Sequence, residues 1–126
     1  LICGVNPHAG EDGLLGKEEI DIIIPAVKSL NKMGITIDGP VPADTAFIRK
    51  FVSKYDVIHT MYHDQGLPVI KYDDFSRTTN VTLGLPIIRV SVDHGTATEL
   101  VGTGKVDISS FTQALKVARD ISKSAI

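Results

Sequence analysis

Two histidines stand where strands are expected to end, and each has a carboxylate close by in the sequence. His8 follows the apolar run "LICGV" and His63 follows "DVIHTMY", with Glu11 and Asp64 as the nearby acids. In open α/β sheets, ligands bind at the carboxyl ends of the strands. Two imidazoles with carboxylates beside them therefore indicate part of a metal site.

A purely structural role for these histidines stays open at this point. Polar side chains at strand ends often satisfy loop backbone groups, and His8 and His63 are 55 residues apart, which is no local metal motif. Two histidines also fall short of the three protein ligands that a zinc site requires. The residues alone therefore predict an incomplete site.

Three cations follow the second histidine and predict an anionic substrate, either a phosphate or a carboxylate. An alternative interpretation of Lys71 and Arg77 is that they are solvated charges in loops. Arg89 lies inside the apolar run "PIIRVSV", so it needs a partner or an open cleft. Further along, His94 begins "HGT", whose backbone N–H groups before a short helix could cradle a phosphate or an adenine.

Composition excludes several classes of protein. The chain has 126 residues, enough for one modest domain, and a net charge of −2 without a basic run argues against nucleic-acid binding. Cys3 is the single cysteine, so a reducing cytoplasm is expected. No apolar stretch is long enough to span a membrane. Because the chain begins at once with an apolar strand from Leu1, we expect it to be part of a longer protein.

Strands and helices alternate along the chain, which predicts an α/β class with a largely parallel sheet. The expected strands are 1–5, 35–39, 56–62, 80–84 and 86–92, the last two paired. The expected helices are 17–33, 42–55 and 109–124. Their apolar faces are predicted to contain Ile20, Ile23, Ile24, Val27 and Leu30 in the first helix, and Phe111, Leu115, Ala118 and Ile121 in the last. Gly66 and Pro68 are expected to interrupt the chain after His63.

Several long motifs resemble the C-terminal part of the 4-hydroxythreonine-4-phosphate dehydrogenase family. They are "GVNPHAGEDGLLGKEEID", "GPVPADT", "MYHDQGLPVIK" and "NVTLGLPIIRVSVDHGTA", and the likeness covers essentially all 126 residues. The resemblance implies an isocitrate/isopropylmalate dehydrogenase-like fold, three-layered with a mostly parallel sheet, which is incomplete here. Residues 1–90 would belong to the substrate, metal and dimer domain, and residues 91–126 would return to the cofactor domain.

The resemblance also implies an activity in pyridoxal phosphate biosynthesis. Members of the family are homodimers that use NAD or NADP and a divalent metal (zinc, magnesium or cobalt). They oxidise 4-phosphooxy-L-threonine to a 3-oxo acid, which decarboxylates to 3-amino-2-oxopropyl phosphate. The alternatives are a related D-erythronate or D-threonate 4-phosphate dehydrogenase and a non-catalytic metal- or phosphate-binding module. We expect the 126 residues alone to be inactive.

Individual roles follow from the resemblance, residue by residue. His8 and His63 would be metal ligands, and a third histidine would lie upstream of Leu1. Asp44 and Asp64 would be acidic catalytic residues near the metal. The substrate-binding positions would be Lys71, Asn80 and Arg89. The cofactor-binding positions would be His94, Gly95, Thr96 and Ala97.

Overall fold

The computed structural model describes residues 1–124, which form two compact units. The first unit is Leu1–Val69 and the second begins at Ile70. The helices are α1 (Ile24–Lys32), α2 (Arg49–Val52), α3 (His63–Asp74) and α4 (Ser109–Ser124), and the strands are β1 (Thr79–Thr82) and β2 (Arg89–Val92). A π-helical turn, Glu19–Ile23, precedes α1, and a 3₁₀ turn covers Thr98–Leu100. Pro7–Gly13 forms tight turns whose backbone is left-handed from His8 onwards. No helix in this described part of the chain could cross a bilayer.

The core of the first unit is built around the start of the chain. Ile2 bridges His59 and Cys3 bridges Val41, both in parallel, so the first extended segment has a neighbour on each side. Leu1, Cys3 and Ala46 are buried there. The partly buried apolar residues packed against them are Val41, Ala43, Phe47, Phe51, Tyr55 and Ile58. This packing fixes the backbone from which the loop at His8 departs.

The α/β class is confirmed, but a mostly parallel sheet does not form within residues 1–124. Their one ladder longer than a single bridge is the antiparallel pair β1–β2. The predicted strand 35–39 is absent, and the predicted strand 56–62 contributes only the bridge at His59. The ladder stops at Val41, because the N–H of Ile2 bonds to the carbonyl of Asp38 rather than to that of Gly39, one residue out of register.

The first predicted helix is confirmed, although it is irregular. It begins with the π-helical turn at Glu19 and continues as α1, and the wider turn comes directly before Pro25, which lacks an N–H. Its buried residues are Glu19, Ile23 and Val27. The predicted apolar face was wrong at Ile20, which is 46% exposed, because the buried stripe begins at Glu19 instead.

The predicted helix 42–55 was largely wrong. Only α2 is helical there, and turns occupy most of the segment before it. Asp44 lies among these turns, and the residue that precedes α2 is Ile48. Ala46 is fully buried beside Leu1 and Cys3, so tertiary packing holds this segment in turns.

The expected interruption after His63 was also wrong, because α3 runs through both Gly66 and Pro68. Pro68 lies in the second turn of α3, where its missing N–H removes a single bond, the one to the carbonyl of Asp64. Gly66 is buried, and its lack of a side chain lets Thr60 approach the helix. The helix therefore tolerates two residues that usually end one.

The second unit is a hairpin covered by a helix. The predicted pairing is confirmed: β1 and β2 are antiparallel, with Thr79 opposite Val92 and Thr82 opposite Arg89. The last predicted helix is confirmed as α4, which packs on both strands. Its predicted face was wrong at Phe111 and Leu115, each 57% exposed, since Ser110 and Ala114 are buried instead.

Candidate functional site

The loop that carries His8 winds in the left-handed sense. Six successive residues have positive φ: His8 (52°), Ala9 (53°), Gly10 (83°), Glu11 (43°), Asp12 (53°) and Gly13 (93°). Four of them are not glycine, and each such residue costs about 1–3 kcal/mol, so the surrounding structure must hold them in place. Strain of this kind clusters at functional sites.

The left-handed turn places a carboxylate on the imidazole of His8. The Nδ1 atom of His8 lies 2.5 Å from Oε1 of Glu11, and both side chains are exposed. The hydrogen bond and the charge of Glu11 raise the pKa of His8, and Asp44 adds a smaller contribution in the same direction. Because Glu11 holds Nδ1, Nε2 is the ring nitrogen left for a metal.

A cavity of about 300 Å³ in the first unit brings several of the predicted residues together. Its walls are Asn6, Pro7, His8, Ala43, Asp44, Tyr62 and Gln65. The predicted metal ligand His8 and the predicted acid Asp44 therefore face the same space, together with two members of the polar run at 62–65.

His63 begins α3 and repeats the arrangement seen at His8. Its Nδ1 atom lies 2.7 Å from Oδ1 of Asp64, and both side chains are exposed. The described wall of the cavity includes Tyr62 and Gln65 but neither His63 nor Asp64. A histidine whose Nδ1 is held by a carboxylate is the usual form of a metal-ligating histidine, so both imidazoles fit a divalent metal.

The predicted metal site is not complete within the described part of the chain. Among residues 1–124, no three His, Cys, Asp or Glu side chains group closely enough to hold an ion. The two histidine–carboxylate pairs are therefore candidate ligands, and their roles stay predictions.

Gln65 is a site residue that the sequence reasoning missed. Its Nε2 donates to the carbonyl of Gly4 at 2.7 Å, and its Oε1 accepts from the backbone N–H of Met61 at 2.7 Å. These bonds attach the first turn of α3 to the first extended segment. The position of Gln65 in "YHDQG" was the available signal, but its partner Gly4 is 61 residues away.

Glu19 was also missed, and it lies beneath the His8 loop. Its Oε1 accepts from the backbone N–H of Asn6 at 2.8 Å, and its Oε2 accepts from Asn6 Nδ2 at 2.9 Å. Burial raises the pKa of Glu19, but these and neighbouring backbone hydrogen bonds outweigh it, and the pKa lies below its usual value. The buried carboxylate is therefore ionised. From the sequence, Glu19 could be recognised only as an acidic residue in the first turn of a helix.

The hairpin of the second unit brings two predicted substrate residues together. Side chains alternate between the faces of a strand, so Asn80 on β1 shares one face with Ser91 and Arg89 on β2. Arg89 is exposed, and its Nη1 donates to Thr82 Oγ1 at 2.8 Å.

Lys71, the third predicted substrate residue, has an acidic partner. Its Nζ lies 3.7 Å from Oδ2 of Asp93 and 5.8 Å from the centre of the Phe75 ring. That Asp93 oxygen is buried and accepts no hydrogen bond from the described residues. Lys71 thus lies on α3, one-third exposed and beside an acidic partner, and is not the loop charge that the alternative described.

The four predicted cofactor residues line a second cavity, of about 560 Å³, within the second unit. His94, Gly95, Thr96 and Ala97 share its wall with Phe75 and Leu100, among others. The ring centres of His94 and Phe75 are 6.4 Å apart, and Ala97 has a positive φ of 46°. The volume lies within the range of small-ligand pockets, about 300–1,000 Å³, and Phe75 gives the wall an aromatic, apolar ring.

Comparison with known proteins identifies one family. The family model described as "Pyridoxal phosphate biosynthetic protein PdxA" matches residues 1–118. The 4-hydroxythreonine-4-phosphate dehydrogenase of Pseudoalteromonas atlantica is 58% identical over 124 residues, which are 98% of this chain and 38% of that protein. The enzyme of the same name from Serratia proteamaculans is 60% identical over 117 residues, 93% of this chain and 36% of that protein.

Solved structures give the same result. A crystal structure of the 4-hydroxythreonine-4-phosphate dehydrogenase from Klebsiella pneumoniae matches with a TM-score of 0.79 and 45% identity, over 93% of this chain and 35% of that one. The Burkholderia phymatum enzyme matches with a TM-score of 0.73 and 48% identity, over 93% and 36% of the two chains. The chain thus spans little more than a third of the length of these relatives.

Proposed function

The chain belongs to the PdxA family of pyridoxal phosphate biosynthetic proteins, and from this membership we propose that it forms part of a 4-hydroxythreonine-4-phosphate dehydrogenase. The reaction is the NAD- or NADP-dependent oxidation of 4-phosphooxy-L-threonine. The resulting 3-oxo acid loses carbon dioxide and gives 3-amino-2-oxopropyl phosphate. Since the chain covers about 38% of its relatives, the active enzyme is proposed to be a longer protein.

One observation from the structure supports this proposal most strongly. His8, with its Nδ1 held by Glu11, shares a cavity with Asp44. A histidine that would hold the metal and a carboxylate that would take a proton from the substrate hydroxyl fit this reaction when they face one space. A module that only bound phosphate would have no use for this pair.

The metal would be zinc, magnesium or cobalt, and when bound it would polarise the hydroxyl and keto oxygens of the substrate as a Lewis acid. His8 and His63 would hold it through their Nε2 atoms, while Glu11 and Asp64 keep the rings oriented. Further ligands would come from residues outside this chain, at the interface of a homodimer. Asp44 would accept the hydroxyl proton.

The second unit would hold the anionic substrate and the nicotinamide cofactor, which accepts the hydride when bound. Arg89 and Asn80, on one face of the hairpin, would hydrogen-bond the phosphate or the carboxylate. Lys71 would add positive charge, which Asp93 restrains in position. The pocket around His94 and Ala97 would take the adenosine side of the cofactor.

The finer fold assignment is part of the same proposal. The parallel bridges on both sides of Leu1–Cys3 and the likeness to complete dehydrogenase structures support an isocitrate/isopropylmalate dehydrogenase-like fold with a mostly parallel sheet in the whole protein. The division at residue 90 between a metal and dimer domain and a cofactor domain stays a prediction.

The test is turnover by the full-length protein. Reduced nicotinamide is measured with 4-phosphooxy-L-threonine or with D-erythronate 4-phosphate, with and without added divalent metal. We expect metal-dependent turnover of the first substrate. Preference for the second would move the protein to a sugar-acid pathway, and activity on neither would contradict the proposal.

A matched pair of variants tests the substrate face. Arg89→Ala should raise KM by about tenfold or more, the effect of losing a charge-assisted hydrogen bond to an anion. Arg77→Ala removes an exposed cation of the same unit to which no substrate contact is assigned, and it should not raise KM. Equal effects of the two substitutions would remove Arg89 from the substrate site.

A further inference from the structure

Glu19 is a buried charge with no assigned role. Its side chain is 2% exposed, the least exposed acid in the described chain, and none of the ion pairs among residues 1–124 involves it. A carboxylate is almost never buried unless hydrogen bonds compensate for the water it loses. Its position therefore needs an explanation in terms of what it binds.

The partners of Glu19 belong to the segment that leads into the His8 turn. The backbone N–H and the side-chain amide of Asn6 each donate to one of its oxygens. Two glycines leave room for the carboxylate: an added Cβ would lie 2.8 Å from Oε1 at Gly4 and 2.6 Å from Oε2 at Gly10. The loop thus folds closely around this single side chain.

The conformation of the loop requires such an anchor. Left-handed backbone at His8, Ala9, Glu11 and Asp12 is unfavourable for L-residues, so other interactions must offset it. The pair of His8 and Glu11 is exposed and contributes little. The hydrogen bonds to Glu19 are shielded from water and charge-assisted, and these are the stronger kind.

We propose that Glu19 is a positioning residue, whose buried carboxylate holds the left-handed turn and thereby presents His8 to the metal. The part that concerns metal rests on the proposed function. The part that concerns the loop does not, because it depends only on contacts within the first unit.

The test compares Glu19→Gln with Glu18→Gln in the full-length protein. Glutamine keeps the size of Glu19, but its NH₂ group would face the Asn6 amide, donor against donor. Glu18 is the matched control, because it is exposed and also accepts from Asn6 Nδ2, at 2.6 Å. Both variants remove one charge from the same helical turn.

Two measurements are made on each variant. Amide hydrogen exchange is followed at Ala9, Leu14 and Leu15, whose N–H groups bond to carbonyls within the loop, with Cys3 and His59 as core references. The dissociation constant of Co²⁺ is measured from its visible absorption. We expect Glu19→Gln to speed loop exchange and to weaken Co²⁺ binding, each by about tenfold or more, while the core references stay unchanged.

The outcomes separate the two proposals. Unchanged loop exchange in Glu19→Gln would overturn the inference, as would faster loop exchange with wild-type Co²⁺ affinity, which would leave Glu19 a purely structural role. If Glu19→Gln does not fold, Asn6→Ala takes its place, since it removes one donor and should give a smaller shift of the same sign. Absence of Co²⁺ binding by the wild type contradicts the proposed function, whereas the exchange data still decide whether Glu19 holds the loop.

Discussion

At the scale of single residues, the same contact between a histidine and a carboxylate occurs twice. Glu11 binds Nδ1 of His8 and Asp64 binds Nδ1 of His63. All four side chains are exposed, and exposed pairs of this kind contribute little to folding free energy. Such a contact would fix the tautomer and the orientation of the ring, as the carboxylate behind a metal-ligating histidine does.

Glu11→Gln and Asp64→Asn should therefore weaken metal binding and leave stability nearly unchanged. Loss of a carboxylate behind a ligating histidine lowers metal affinity by about 10–100-fold, whereas an exposed substitution changes the free energy of unfolding by about 0.5 kcal/mol or less. Isothermal titration with Zn²⁺ and thermal unfolding measure the two effects. Asp12→Asn, in the same exposed turn as Glu11, is the control and should keep its affinity. Undiminished affinity in both variants would contradict the proposed role of the carboxylates.

The site was predictable from sequence where its contacts are local. Glu11 lies three residues from His8 and Asp64 lies one residue from His63, so each pair could be recognised in the sequence. Glu19 and Gln65 could not be recognised, because their partners are 13 and 61 residues away and meet them only through tertiary folding. A buried carboxylate at a helix start has the same sequence pattern as an exposed one.

At the scale of elements, α3 depends on a close approach at Gly66. A Cβ there would lie 3.2 Å from Cγ2 and 3.3 Å from Oγ1 of Thr60, and 3.6 Å from the Phe47 ring. Alanine favours a helix over glycine by about 1 kcal/mol, while overpacking costs about 1–3 kcal/mol, so the contact with Thr60 decides the sign.

Gly66→Ala should therefore destabilise the protein when Thr60 is present and stabilise it when Thr60 is shortened. We expect Gly66→Ala alone to lower the free energy of unfolding by about 1 kcal/mol. In a Thr60→Ala background, Gly66→Ala should raise the free energy of unfolding by about 1 kcal/mol. The clash is then gone, and only the higher helix propensity of alanine over glycine remains. Thermal unfolding of the four proteins in this double-mutant cycle measures both. Additive effects would show that Thr60 does not limit the helix.

The sequence predicted correctly those elements whose local pattern is not overridden by tertiary contacts. The first helix, α4 and the β1–β2 pair were found within a few residues of their bounds. The strand expected at 35–39 failed because the hydrogen bond between Asp38 and the first segment is out of register with the bridge at Val41. The helix α3 was missed because Gly66 and Pro68 were interpreted locally, whereas packing against Thr60 holds the glycine in a helix.

At the scale of the whole molecule, much apolar surface remains on the described chain. Leu14, Met33, Tyr72, Leu83 and Val101 are each more than two-thirds exposed. Large exposed apolar side chains in such number are typical of surfaces that other polypeptide covers. The chain spans about 38% of its relatives, and this agrees with the proposal that it folds against further sequence and a second subunit.

The last prediction concerns activity of the isolated residues 1–126. Because no complete set of three metal-binding side chains groups within residues 1–124, we expect this piece to show no metal-dependent turnover of 4-phosphooxy-L-threonine. The full-length protein should turn the substrate over and should lose that activity on His8→Ala, which shows that the signal depends on this part of the chain. The measurement is formation of reduced nicotinamide at equal molar concentrations of the three proteins. Turnover by the isolated piece would mean that its two histidines suffice, and the proposal of a metal site shared with other residues would have to be withdrawn.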